Sequence, residues 1–157
     1  SIMTEKLSRK GVRVPSDYEP DTLAIRTVES AMISNPLTVP ADMPVKDLLE
    51  KINGSENPWN RARLIPILEN DKLVAVISRA DILAVAIGSI HTNVSEIGTK
   101  DIHTVYPNDS LADAAEKMIA HGIGRLPVVS LDGTGTLLGI LTRREILLAR
   151  SRQETNP

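Results

Sequence analysis

The chain predicts an α+β fold, two β-α-β-β-α repeats packed as a pseudo-twofold pair, and three observations carry that prediction. The first is a duplicated strand-to-helix phrase. Leu73-Val74-Ala75-Val76-Ile77-Ser78-Arg79-Ala80-Asp81-Ile82-Leu83 returns 64 positions later as Leu137-Leu138-Gly139-Ile140-Leu141-Thr142-Arg143-Arg144-Glu145-Ile146-Leu147. The second is a set of matches at a constant offset of 66, in which Val28, Thr38, Val39, Asp47, Glu50 and Lys51 recur as Val94, Thr104, Val105, Asp113, Glu116 and Lys117. The third is where the offset changes. It falls to 61 between Pro66 and Pro127 and recovers to 64 at the strand-to-helix phrase, so the length differences lie in loops and the elements stay intact. Repetition of this kind marks duplicated folding units and is settled before any motif is read.

The elements follow in order. Residues 1–27 form a leader without clear periodicity, basic at first (Lys6, Arg9, Lys10, Arg13) and then acidic (Asp17, Glu19, Asp21). That pattern fits a solvated linker, and equally a juxtamembrane segment on the cytoplasmic side of a membrane. Residues 28–90 are the first repeat, 91–150 the second and 151–157 a tail. In each repeat a Thr-Val strand leads through a polar turn into an amphipathic helix. The apolar face of that helix is Val45, Leu48, Leu49 and Ile52 in one copy and Leu111, Ala114, Ala115 and Met118 in the other. A strand around a proline comes next, Leu64-Ile65-Pro66-Ile67-Leu68 and Leu126-Pro127-Val128-Val129, with the proline suited to an edge or strand start. Asn70-Asp71 and Asp132-Gly133-Thr134-Gly135 read as hairpin turns. Beyond them lies the duplicated phrase: an aliphatic run too short for a helix, then Ser78 or Thr142 as N-cap. A half of about 60 residues buries too little surface to be comfortable alone, so two halves burying their sheets against each other is the simplest solution.

Composition removes several functions. Hydrophobic residues make up 41% of the chain and charged ones 24%, which is globular and not disordered. Phe is absent and the aromatics are Trp59, Tyr18 and Tyr106, so the core is aliphatic and there is no base-stacking platform. A net charge of −2 argues against general nucleic-acid binding. Without Cys there is neither a disulfide framework nor thiol chemistry. The apolar run Ile82-Leu83-Ala84-Val85-Ala86-Ile87 is far short of a bilayer span. No metal site is expected, because His91, His103 and His121 are not at ligand spacing. Asp132-Gly133-Thr134-Gly135 lacks the lysine and helix of a phosphate-binding loop. No nucleophile–base pair stands out, so the chain reads as a non-enzyme.

The Thr-Val pairs, the strand prolines and the strand-to-helix phrases, each present twice and in register, resemble the CBS domain. Two in tandem resemble the Bateman module, a regulatory unit that binds adenosine nucleotides in clefts between its halves. The resemblance covers roughly residues 28–150. The leader Thr4-Glu5-Lys6-Leu7-Ser8-Arg9-Lys10-Gly11-Val12 is similar to the segment that leaves the last membrane helix of chloride channel and transporter (CLC) family proteins. Some of those proteins carry a cytoplasmic CBS pair after it. This resemblance implies an upstream membrane transport domain as partner, a place at the cytoplasmic face of the membrane and modulation of anion transport. It implies no required cofactor, with ATP, ADP or AMP as regulatory ligand, and two amphipathic helices per half favour a homodimer.

The site residues come from the same source. In the family each cleft joins the strand-to-helix motif of one half to the Thr-Val and pre-proline strands of the other. Cleft one then combines Thr38, Ala62 and Arg63 with Thr142 and Glu145, and cleft two combines Thr104, Ile123, Gly124 and Arg125 with Ser78 and Asp81. Cleft two is favoured, for its shorter acid, its aliphatic wall at Ile123 and Arg125 for a phosphate. A helix N-terminus with a hydroxyl residue is a natural phosphate seat, and the acid three residues on can accept from ribose hydroxyls. The same Ser/Thr-x-x-Asp/Glu pattern is also a capping box, and one residue can serve both roles. Arg125 reads equally as a solvated strand-edge charge. Arg143, Arg144, Arg150 and Arg152 read first as a solvated helix face, and Trp59 as a loop aromatic folded onto its own half. The alternative to a nucleotide sensor is a ligand-free assembly module, or a CBS pair regulating another transporter or enzyme.

Overall fold

The computed structural model describes residues 22–54, 58–85 and 91–155. The first repeat contains helix α2 (Val28–Ala31), the short strand β1 (Val39–Pro40), helix α3 (Val45–Asn53), the hairpin β2 (Leu64–Glu69) and β3 (Lys72–Ser78), and helix α4 (Arg79–Leu83). The second contains α5 (Val94–Ile97), α6 (Leu111–His121), the hairpin β4 (Arg125–Val129) and β5 (Leu137–Thr142), and α7 (Arg143–Thr155). A helical turn, α1 (Thr22–Ile25), precedes them within the stretch counted as leader. β1 lies parallel to β2 and β2 antiparallel to β3, while β4 pairs only with β5 as a named strand. The Thr-Val strand expected before α6 shortens to one parallel bridge, Val105 to Val128.

Local chemistry explains the elements. Val45, Leu48 and Ile52 of α3, and Leu111, Ala114 and Met118 of α6, are buried at the three- and four-residue spacing of one helical face. Ser110 caps α6 by accepting the Asp113 N–H, and Gly122 ends it in the left-handed conformation with φ 65°. Asn70 and Asp71 both take positive φ, 53° and 66°, as the two-residue turn of the first hairpin demands.

The halves join differently from the expected sheet-on-sheet contact. Buried side chains fall into two clusters, and each contains the opening valine of the other repeat. Val28 packs with Val105, Leu111, Leu126, Leu141 and Ile146, and Val94 packs with Val45, Leu48, Ile65, Ile67 and Ile77. The exchange is written in the backbone as well. Val28 N–H donates to Asp109 O (2.8 Å) and Val94 N–H to Met43 O (2.8 Å), while Leu111 N–H donates to Arg26 O and Val45 N–H to Thr92 O. Each of these bonds maps onto its mate through the 66-residue offset. Burying one such valine contributes about 1.5–3 kcal/mol, so two exchanged segments hold the halves together without a common core. Leu23 of α1 joins the second-half cluster too, which ties the end of the leader to the body.

Two further cross-half bridges add a strand edge to each sheet. Ile33 exchanges hydrogen bonds with Ile140 (2.8 and 3.0 Å), and Thr99 with Val76 (2.7 and 2.9 Å). The two sites pack differently. Met32 lies against Gly139 in one; in the other two small residues, Gly98 and Ala75, face each other and the tip of Ile67 covers Gly98. On the pseudo-twofold axis Lys72 bridges Thr136, joining the two hairpins. Trp59 packs on the first-half cluster beneath the Lys51 ammonium, 5.2 Å from the ring centre.

Candidate functional site

Exchange of the segments that open the two repeats leaves a cleft of about 480 Å³ between the halves, within the size range of small-molecule sites. The Ile33–Thr38 segment forms one wall. Pro58, Arg61, Ala62, Arg63 and Leu64, which run into β2, form the second, and Arg125, Ile140 and Thr142 close it from the other half. This is cleft one, and Thr38, Ala62, Arg63 and Thr142 line it together.

The floor is aliphatic, with Ile33, Leu37, Ala62 and Ile140, and three arginines, Arg61, Arg63 and Arg125, line it as well. Thr142 ends β5 and caps α7, its hydroxyl accepting the Glu145 N–H at 3.3 Å. α7 runs for 13 residues, so its dipole end adds positive potential at Thr142. The Arg143 N–H is already spent on Gly124 O at 2.8 Å. Glu145 is half-buried in the first turn of α7, beside the cleft but not among its lining residues.

Several of the residues assigned to cleft two are engaged in local contacts. Ser78 and Asp81 close a full capping box on α4: the Asp81 N–H donates to Ser78 Oγ and the Ser78 N–H donates to Asp81 Oδ2, both at 3.0 Å. Asp81 therefore has one carboxylate oxygen committed to its own helix, and that helix is only five residues long. No such return bond to the Thr142 N–H holds Glu145 among the described residues. The Thr104 carbonyl accepts the Lys117 ammonium at 2.6 Å. Ile123 packs against the second-half core, and the Arg143 guanidinium lies over Gly124, 3.4 Å from where a Cβ would stand.

Arg125, expected in cleft two, lines cleft one. Register gives the reason: β4 places Arg125 directly opposite Thr142, at the end of the hairpin that opens into cleft one. Partial burial pulls its guanidinium below the ordinary arginine value, and the positive charges of Arg63 and Arg143 act in the same direction. It stays protonated at neutral pH. Ile33, Asn35, Pro36 and Arg61 were not expected at the site. Arg61 was legible as half of an Arg-Ala-Arg triplet, whereas Ile33 enters only through its bridge to Ile140. Among the described residues there is no group of three or more His, Asp or Glu fit to hold a metal. No described helix is long and apolar enough to cross a membrane.

Comparison with known proteins agrees with this architecture. The CBS domain family model matches residues 27–88 and again 94–152. An inosine-5'-monophosphate dehydrogenase from Nitrosopumilus maritimus is 30% identical over 80% of this chain and 25% of its own length. An L-aspartate semialdehyde sulfurtransferase from Methanosarcina acetivorans is 30% identical over 96% of this chain and 29% of its own length. The chain thus spans between a quarter and a third of these relatives. Among solved structures, CBSX2 in complex with AMP superposes with a TM-score of 0.69 at 27% identity, over 82% of this chain and 98% of that one. The CBS pair of MJ0100 with 5'-methylthioadenosine and S-adenosyl-L-methionine gives 0.66 at 22% identity, over 82% and 98%. The cytosolic domain of the magnesium channel MgtE with ATP gives 0.65 at 22%, over 84% and 50%; these last two likenesses speak to the fold. None of the proteins named here is a chloride channel or transporter. With two matched domains, a pseudo-twofold body and a cleft between its halves, the chain belongs to the CBS domain family as a tandem pair.

Proposed function

We propose that the chain is a regulatory CBS pair that senses an adenosine nucleotide in cleft one. The observation that carries this reading is the convergence of Thr38, Ala62 and Arg63 from one half with Thr142 from the other around a single cleft of about 480 Å³. The aliphatic floor suits a purine, the arginines and the α7 N-terminus suit phosphate, and the carboxylate of Glu145, beside the cleft, suits a bond from a ribose hydroxyl. A ligand touching both halves binds one relative orientation better than another and shifts the population toward it. The exchanged opening segment passes that bias to whatever precedes it. AMP on CBSX2, at 27% identity, supports the ligand class.

The output domain is a separate part of the proposal. Residues 4–12 favour a chloride channel or transporter, with the pair at the cytoplasmic face of the membrane, as a homodimer and without catalytic activity. Those residues lie outside the described ones. The parent reading frame tests this part: apolar spans upstream are expected, and an enzyme domain there would overturn it.

Thermal melts of the 157-residue chain with ATP, ADP and AMP test the sensing itself. A ligand at a hundredfold over its dissociation constant adds about 2.7 kcal/mol, or roughly 5–11 °C for a chain of this size. No shift with any of the three at millimolar concentration would leave the ligand-free assembly module as the better reading.

A further inference from the structure

Cleft one is more positive than duplication requires. Arg61, Arg63 and Arg125 line it without any Asp or Glu. Arg125 is the pseudo-symmetry mate of Leu64, each pairing with the hydroxyl residue that ends its hairpin, Thr142 and Ser78 respectively. Both mates line this one cleft, so the arginine that the second repeat gained is delivered to the site built mainly by the first. Among the described residues no carboxylate pairs with any of the three guanidiniums. The described lining of the cleft therefore carries three positive charges and no negative one, and the depressed basicity of Arg125, caused by burial and by Arg63 and Arg143, reports the same crowding.

Building on the adenosine reading above, we propose that cleft one sorts adenosine compounds by charge. It favours the di- and triphosphate over the monophosphate and rejects the sulfonium of S-adenosyl compounds, with Arg125 setting the discrimination. Guanidinium forks match phosphate oxygens in pairs, so each further phosphate finds donors that a monophosphate leaves idle. A sulfonium brings a fourth positive charge to a site that already carries three. In this proposal Arg125 acts on the phosphates and not on adenine or ribose, which separates recognition of the nucleoside from counting of its phosphates.

Calorimetric titration of the full 157-residue chain with magnesium-free adenosine, AMP, ADP, ATP and S-adenosyl-L-methionine tests this, with methyl NMR of Ile33, Leu37 and Leu64 to place the ligand. ADP and ATP are expected to bind at least about tenfold more tightly than AMP, a step of 1.4 kcal/mol. S-adenosyl-L-methionine is expected to show no saturable binding. Arg125→Leu, which installs the residue of the equivalent position, should bring ATP within about threefold of AMP. Arg125→Gln serves as the second variant should the leucine fail to fold. ATP and AMP of equal affinity in the unaltered chain, S-adenosyl-L-methionine as tight as AMP, an unchanged series in the variants, or binding without methyl shifts at cleft one would each overturn the proposal. AMP binding at cleft one without discrimination would leave the adenosine reading standing. Failure of every compound, adenosine included, would remove that reading as well.

Discussion

The exchange of opening segments makes Gly139→Ala a severe test of how the halves are held. A Cβ at this position would stand 2.5 Å from the Ile33 carbonyl oxygen and 2.8 Å from Met32 Sδ. The methionine can swing aside, but the carbonyl belongs to backbone bonded twice to Ile140, at 2.8 and 3.0 Å. Relief therefore requires the bridge to open. Two backbone hydrogen bonds at about 1 kcal/mol each, with about 1 kcal/mol or more of overpacking, give a loss of roughly 2–4 kcal/mol. For a chain of this length that lowers the melting temperature by roughly 4–16 °C. The control is Gly98→Ala in the matching interface. There the nearest atom, at 2.7 Å, is the flexible tip of Ile67, and the closest backbone oxygen, of Val76, is at 3.2 Å. The control should lose about 1 kcal/mol or less, within the usual range for a tolerated volume change. Urea denaturation gives the stability, and hydrogen exchange at the Ile33 and Ile140 amides locates the damage. Ile33 and Ile140 also line cleft one, so ligand affinity should fall with stability. A neutral Gly139→Ala, or equal losses in the two variants, would refute the claim that this bridge governs the contact.

Asp81→Ala should lower stability by about 1 kcal/mol, because it opens the capping box, and leave binding in cleft one unchanged in the same titrations. Glu145→Gln should do the reverse, weakening nucleotide binding with a change in urea midpoint equivalent to less than about 0.5 kcal/mol. Arg125→Leu should raise the stability of the apo chain. A cation whose basicity is depressed on folding is destabilising at every pH below its folded value, and solvent screening at this exposed residue holds the gain to about 1 kcal/mol or less. Thermal melts across neutral pH, without added anions, would read it. Asp132 accepts from the Thr134 hydroxyl (2.6 Å) and N–H (3.0 Å), which, with the Ser130 hydroxyl, hold its carboxyl below the usual range. A carboxyl depressed on folding stabilises above its unfolded value. The advantage of the unaltered chain over Asp132→Asn should therefore be constant at neutral pH and vanish as pH falls below about 3.9 in acid titrations followed by circular dichroism.

Periodicity made the elements readable. Val45, Leu48 and Ile52, and Leu111, Ala114 and Met118, sit inside because their spacing leaves no other face to bury. The capping role of Ser78 was legible for the same kind of reason, since N-cap and partner lie three residues apart. Four members of cleft one, Thr38, Ala62, Arg63 and Thr142, were legible through motif and register. That Arg125 lines cleft one was not foreseen, because an offset says which strand carries a residue and not which cleft its hairpin end faces. Ile33 and Asn35 escaped because nothing local marks a segment that binds to the opposite half.

The chain by itself determined the duplication, the order of its elements, the aliphatic core positions and the chemical identity of the helix caps, all of which depend on neighbours within about one turn or one hairpin. Tertiary structure decided which half the opening segment of each repeat joins, that Met32 meets Gly139 while Gly98 meets Ala75, and that three arginines converge where duplication would place two. Those outcomes depend on contacts between residues from 23 positions apart (Ala75 and Gly98) to 107 (Met32 and Gly139), whose free energy comes from packing and exchanged hydrogen bonds that no local pattern encodes.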